Sequence, residues 1–238
     1  MSVSAHLQLH TACQYLLSDT EGALLYNNLE EKGGKIETLT QLPDQAKASW
    51  SWAQNTVQLD ASLLENIPNM LGYLAFELSN AAQTSVFQQI ASDSSLSLDD
   101  RVRQIEAWEY QSAIRAHHLV HRILGPDVDF DLKYLCDSFD THYLLQQLSG
   151  HSKILAEKCQ KPGEIYTGTP GFQNLTKEQK DCLYGLLYYS ARSQCPEHQG
   201  MVPLMIANLS RLAEQDPAYK KLWDIWTSTD HTHTQLSP

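Results

Sequence analysis

Residues 70–82 read Met70-Leu71-Gly72-Tyr73-Leu74-Ala75-Phe76-Glu77-Leu78-Ser79-Asn80-Ala81-Ala82, and the fold class turns on this stretch. Met70, Leu71, Leu74, Ala75, Leu78, Ala81 and Ala82 recur at helical spacing, which predicts a helix from about Pro68 to Ile90 with a broad apolar face. Such a helix belongs at the centre of a core. Just before it, Ala48 to Trp52 and Thr56 to Asp60 alternate in polarity, and Ala53-Gln54-Asn55 between them predicts a hairpin. Lys35 to Thr40 is a further strand candidate, followed by a turn at Pro43-Asp44. A sheet this small needs a helix against its apolar face, and the 68–90 helix is the nearest one.

Further out, residues 5–32 predict one helix with a polar face, ended by Gly33-Gly34. Downstream, after a Ser- and Asp-rich loop, Asp99 or Asp100 can cap a second long helix that Gly125-Pro126 stops after Leu124. Its apolar stripe is Val102, Ile105, Trp108, Ser112, Ala116, Leu119 and Ile123. The remainder is helical: about Asp131 to Leu148, Ser152 to Lys158, and Lys177 to Ala191 behind the Thr176/Gln179 capping box. Asp216-Pro217 opens a last helix. A Gly- and Pro-containing loop, Pro162 to Gly171, carries Tyr166 and leads to Phe172, the kind of segment that closes over a groove.

Leu74-Ala75-Phe76-Glu77-Leu78-Ser79-Asn80-Ala81 resembles, in order and spacing, the active helix of HExxH zinc metallopeptidases of the zincin type. There two histidines one turn apart share a zinc ion, and the glutamate between them activates the bound water. The preceding helix, strand and hairpin, and the glutamate-bearing helix that follows, extend the likeness over roughly residues 15–125 to gluzincin-like scaffolds of secreted bacterial effectors and toxins. In that family the third ligand is a glutamate on the second helix, a place that Glu106 or Glu109 corresponds to. Here Phe76 and Asn80 stand at the histidine positions; phenylalanine cannot hold zinc and a neutral amide is a poor ligand. The resemblance therefore implies a scaffold without its zinc site and without a cofactor. Glu77, Asn80, Glu109 and Glu106 are the residues of a rebuilt pocket, and Glu109, at the edge of an apolar stripe, needs a partner.

Other constellations compete. His117 and His121 fall on one stripe of the second long helix and are weak metal candidates; histidines near a helix C-terminus also gain from its dipole with no metal. Cys13 after His10, Cys136 before His142 and Cys195 before His198 are the pairs from which a Cys-His hydrolase could be built, though none has a Gly-flanked nucleophile signature. Tyr188, Trp223 and Trp226 could anchor a protein partner or join two helices in the core.

A formal charge of −11, with Lys and Arg scattered, repels phosphate backbones and argues against nucleic-acid binding. No apolar run approaches the roughly 20 residues that span a bilayer. Five cysteines without a C-x-x-C pair suit a reducing compartment. Neither a signal peptide nor a phosphate loop is visible.

The expected fold is α+β, mainly α: a small antiparallel sheet packed on a zincin-like helix pair, then a helical C-terminal half. Residues 1–125 and 126–228 are expected to form one compact unit, with a disordered tail at 229–238. The expected function is a bacterial effector or toxin-like protein acting through a rebuilt pocket around Glu77 or as a pseudoenzyme, cytoplasmic in the producing cell or exported without a cleavable signal. The alternatives are a protein-protein interaction module of adaptor, chaperone-like or immunity type, and a Cys-His hydrolase.

Overall fold

The computed structural model describes residues 3–42, 46–130, 132, 138–168 and 201–228. The Pro43-Asp44 turn, the Lys177–Ala191 helix and the 229–238 tail lie outside them. The architecture is α+β and mainly helical. The chain forms two compact units, Met1–Ile90 with Trp108–Leu132, and Ala91–Ala107 with Lys133–Pro238. Where the sequence suggests a boundary near residue 125, the division runs through a long helix that contributes to both.

In the first unit, α1 (Val3–Ser18) and α2 (Thr20–Glu31) replace the single helix expected over 5–32. The break is chemical: the Asp19 side chain accepts from the backbone N–H groups of Glu21 and Gly22 at 2.9 and 3.1 Å, capping a new helix. Gly22 makes the turn sterically possible, since a Cβ there would overlap the Leu16 carbonyl oxygen. Gly33, at φ +67°, leads the chain out of α2.

The sheet has the order β1-β3-β2, built from β1 (Lys35–Leu39), β2 (Ala48–Ser51) and β3 (Thr56–Asp60). The β2–β3 hairpin is antiparallel as expected, but β1 pairs with β3 in parallel, so the sheet is mixed rather than antiparallel throughout. β3 takes the centre because Val57 and Leu59 are fully buried. On its other face Gln58 stands between Glu37 and Ser49, donating to Glu37 Oε1 at 2.8 Å and accepting from Ser49 at 3.4 Å, which links all three strands.

A 3-10 turn (Ala61–Glu65), capped by Asp60, leads into α3 (Ile67–Ala82), where Asn66 accepts from the Asn69 N–H at 2.9 Å. All residues from Met70 to Ala81 are buried, and α3 packs on α1, α2, β2 and β3. It is the central helix the spacing predicts. It ends earlier than Ile90, at Gln83, and a separate α4 (Thr84–Ser92) follows. Gln83 donates to the Ser79 carbonyl and to Ser112 Oγ, and Trp50 Nε1 donates to Thr84 Oγ1 at 3.0 Å, so side chains fix the interruption.

α5 (Leu98–Leu124) is the second long helix. Its N-cap is Ser97, not Asp99 or Asp100: Ser97 Oγ accepts from the Asp100 N–H at 3.1 Å and donates to the Asp100 carboxylate at 2.6 Å. Val102, Ile105, Ser112, Ala116 and Leu119 are buried as the stripe predicts, whereas Trp108 is 40% exposed. In the second unit follow α6 (Phe139–Ser149), α7 (His151–Cys159), α8 (Met201–Gln215) and α9 (Pro217–Ser228). Among the described residues no helix is long and apolar enough to cross a membrane.

Candidate functional site

The Phe76–Asn80 turn of α3 is enclosed. Phe76 is 3%, Glu77 4% and Asn80 4% exposed, and Glu77 is partnered. These residues sit in a helix buried along most of its length, where a charged side chain stays only if something compensates it.

Glu106 is different in kind. It lies on the part of α5 that belongs to the second unit and has no exposed surface. Its Oε1 accepts from Ser152 Oγ at 2.7 Å and meets His151 Nδ1 at 3.2 Å, while Oε2 faces His142 Nε2 at 3.7 Å. His142 and Ser152 are themselves fully buried, but the His151 side chain is 35% exposed. One carboxylate thus bridges an enclosed imidazole and a solvent-facing one.

Local sequence explains the gathering. Gly150, at φ +86°, turns the chain between α6 and α7. His151 and Ser152 therefore open α7, and their side chains reach the Glu106 carboxylate. Arg103, one turn before Glu106, donates to Asp140 at 3.0 Å and stacks over Phe139 and Tyr143 at 5.2 and 5.1 Å, holding α6 beside α5. Burial alone would raise the Glu106 pKa; the facing His151 and His142 outweigh it and hold the carboxyl below its usual range. Tyr143 and Tyr166 are pushed the other way, chiefly by burial, so both stay protonated donors at neutral pH. The Tyr166 hydroxyl faces Gln147, Ser152 and Tyr143.

Glu109, one turn further along α5, is 8% exposed and partnered, as a carboxylate at that position requires. His117 and His121 meet edge to face at 4.2 Å between ring centroids and both pack on Phe130, with His121 Nε2 3.2 Å from the Val128 carbonyl oxygen. Gly72 leaves room for that Phe130 ring. His10 and Cys13 line a cavity of about 480 Å³ with Tyr26, Glu30 and Lys35. Burial, and then the Glu30 carboxylate, push the Cys13 thiol to about 11, where it is no nucleophile at neutral pH. Cys136, Cys195, His198 and Tyr188 lie outside the described residues. Trp223 is half-buried on α9, the helix to which Trp226 also belongs.

From sequence, Glu106 is legible and its partners are not. The residue types there associate His142 only with Cys136, and nothing singles out His151 or Ser152. The available signal is Glu106 itself: a carboxylate flanking a buried stripe demands cationic or hydrogen-bonding partners from other helices. Comparison with known proteins returns no matching family model, no similar curated protein and no similar solved structure.

Proposed function

We propose that this chain is an effector- or toxin-like protein with a degenerate zincin-like fold. Zinc chemistry at α3 has been lost, and acid-base chemistry at the Glu106–His151 pair works in its place. The effector assignment is supported by the likeness of residues 74–81 and their surroundings. The observation that carries the choice of site is the Glu106 carboxylate, enclosed and fixed by Ser152, set against an imidazole that reaches solvent. In this arrangement Glu106 fixes the His151 ring through Nδ1 and stabilises its protonated form. His151 takes a proton from water or a substrate hydroxyl as a bond to the reacting centre forms, then returns it to the leaving group.

Controlled expression in yeast and in a bacterial host tests the reading. Wild type is expected to slow growth in at least one host, and Glu106→Gln or His151→Gln to relieve it while the purified variants keep the wild-type circular dichroism. Glu77→Gln, if folded, should stay toxic. Toxicity that survives both centre variants would overturn the acid-base reading.

A second reading has one observation in its favour. Leu204 on α8 is 65% exposed, and α8 packs on α9, which carries Trp223; this pair could meet a protein partner without catalysis. Toxicity lost on Leu204→Asp but kept in Glu106→Gln would favour it.

A further inference from the structure

The segment from Gln160 to Gly168 runs over the second unit as a strap. It is pinned at three points to residues 92–101. Lys161 Nζ donates to the Ser92 carbonyl at 3.0 Å, Glu164 pairs with Arg101, and Thr167 donates to Asp99 through its backbone N–H at 3.1 Å and also through its hydroxyl. The middle pin is deep: Arg101 has no exposed surface and also donates to the carbonyls of Asp93, Leu96 and Cys159. Glu164 is further fixed by the Lys161 N–H at 2.8 Å.

Tyr166 lies between the second and third pins, and its position is what the pins achieve. Its hydroxyl is shut off from solvent and faces Ser152, the residue that donates to Glu106. Gly168 lets the ring fold back over the chain, since a Cβ there would overlap the Tyr166 hydroxyl oxygen. Gly163, at φ +88°, gives the other end of the strap a backbone conformation that few residues adopt. The strap thus has two pins, at Glu164 and Thr167, between Gly163 and Gly168, a third at Lys161 before them, and one aromatic side chain inserted toward the polar centre. Its first and third pins lie at the surface, and surface contacts open at lower free energy than core ones.

We propose that residues 160–168 are a gate on the enclosed side of the Glu106 centre, closed in this structure by the Glu164–Arg101 and Thr167–Asp99 clasps, and that release of Tyr166 lets a substrate that already reaches His151 extend to Ser152 and His142. This rests on reading the Glu106 centre as the working site. Opening swings about Gly163 and Gly168 and breaks the Thr167 clasp first, because the Arg101 clasp has more donors. Closure keeps the Tyr166 hydroxyl beside Ser152 and excludes water from that side of the centre.

The test reads access to the centre rather than activity. Full-length protein is treated with diethyl pyrocarbonate at neutral pH, and modification of the enclosed His142 is followed by mass spectrometry, with exposed His10 as the internal reference. Thr167→Val, which leaves Arg101 its partner, is expected to raise the His142-to-His10 rate ratio about tenfold, and Asp99→Asn to do the same. Tyr166→Ala, which removes the inserted ring but no pin, should raise it as well. An unchanged ratio in all three variants overturns the gate. A raised ratio together with toxicity that ignores Glu106→Gln keeps the gate and removes only the acid-base reading of the site it covers.

Discussion

At the scale of single residues, burial pushes the pKa of both Glu106 and Cys13 upward, and their neighbours decide the outcome: imidazoles reverse it for Glu106, and the Glu30 carboxylate adds to it for Cys13. A carboxylate enclosed beside two imidazoles and a hydroxyl is stabilised in its charged form, and its neighbours depend on it in turn. Glu106→Ala leaves His142 and Ser152 buried around an empty place and is expected to cost about 3–5 kcal/mol in urea unfolding. Glu106→Gln keeps the shape and an acceptor for Ser152, and should cost clearly less; equal losses would mean the charge contributes nothing. Around Cys13, burial and the Glu30 carboxylate both disfavour the thiolate. This thiol should resist Ellman's reagent at neutral pH in the folded protein and react once urea exposes it. Fast reaction in the native state would contradict its enclosure.

At the scale of elements, the sequence reveals what is periodic and hides what is punctual. α3 and α5 are visible because apolar side chains recur over several turns, and the β2–β3 hairpin because alternation and a short polar link coincide. The breaks after Ser18 and at Gln83 escape a periodic reading because one side chain makes each of them. Asp19 caps α2, and Gln83 bonds Ser79 and Ser112; neither act alters the apolar period. The parallel pairing of β1 is hidden for a related reason, since strand order depends on which strand is most apolar on one face and not on adjacency in sequence. The site follows the same rule: Glu106 is named from sequence only through the zincin likeness, the awkward carboxylate read from the stripe being Glu109, while His142 and His151 reach Glu106 only through the packing of α6 and α7. The α1–α2 break can be tested directly. Gly22→Ala places a methyl group against the Leu16 carbonyl and should lower stability by about 1–3 kcal/mol. Asp19→Ala removes the cap, at about 1 kcal/mol. A Gly22→Ala protein as stable as wild type would show that the turn relaxes freely.

For the whole molecule, charge sets how stability answers to pH. The chain carries a net −11 at neutral pH and has a calculated isoelectric point near 5.3. Self-repulsion alone would place maximum stability there. The carboxylates argue otherwise, because several are held below their ordinary values in the folded protein. Asp19 is lowered by the Arg122 guanidinium, Asp93 by Ser95, and Glu164 by the Lys161 N–H and Arg101. Asp60, against its partial burial, is lowered by Ser62, and Glu106, against full burial, by His151 and His142. A carboxyl with a depressed folded pKa binds fewer protons folded than unfolded over the interval between the two values. Its contribution is complete above the unfolded value, about 3.9 for Asp and 4.3 for Glu. It is lost as pH falls through the folded value. The urea midpoint should therefore show no peak at the isoelectric point and should fall steeply below about pH 4.5. Salt separates the contributors. At about 1 M ionic strength the exposed Asp19–Arg122 pair is screened, while the enclosed Glu106 centre is not. The acid limb that persists in high salt should then be shallower in Glu106→Gln than in wild type. Identical limbs would mean that the Glu106 centre does not hold its carboxylate charged, and the acid-base proposal would lose its physical basis.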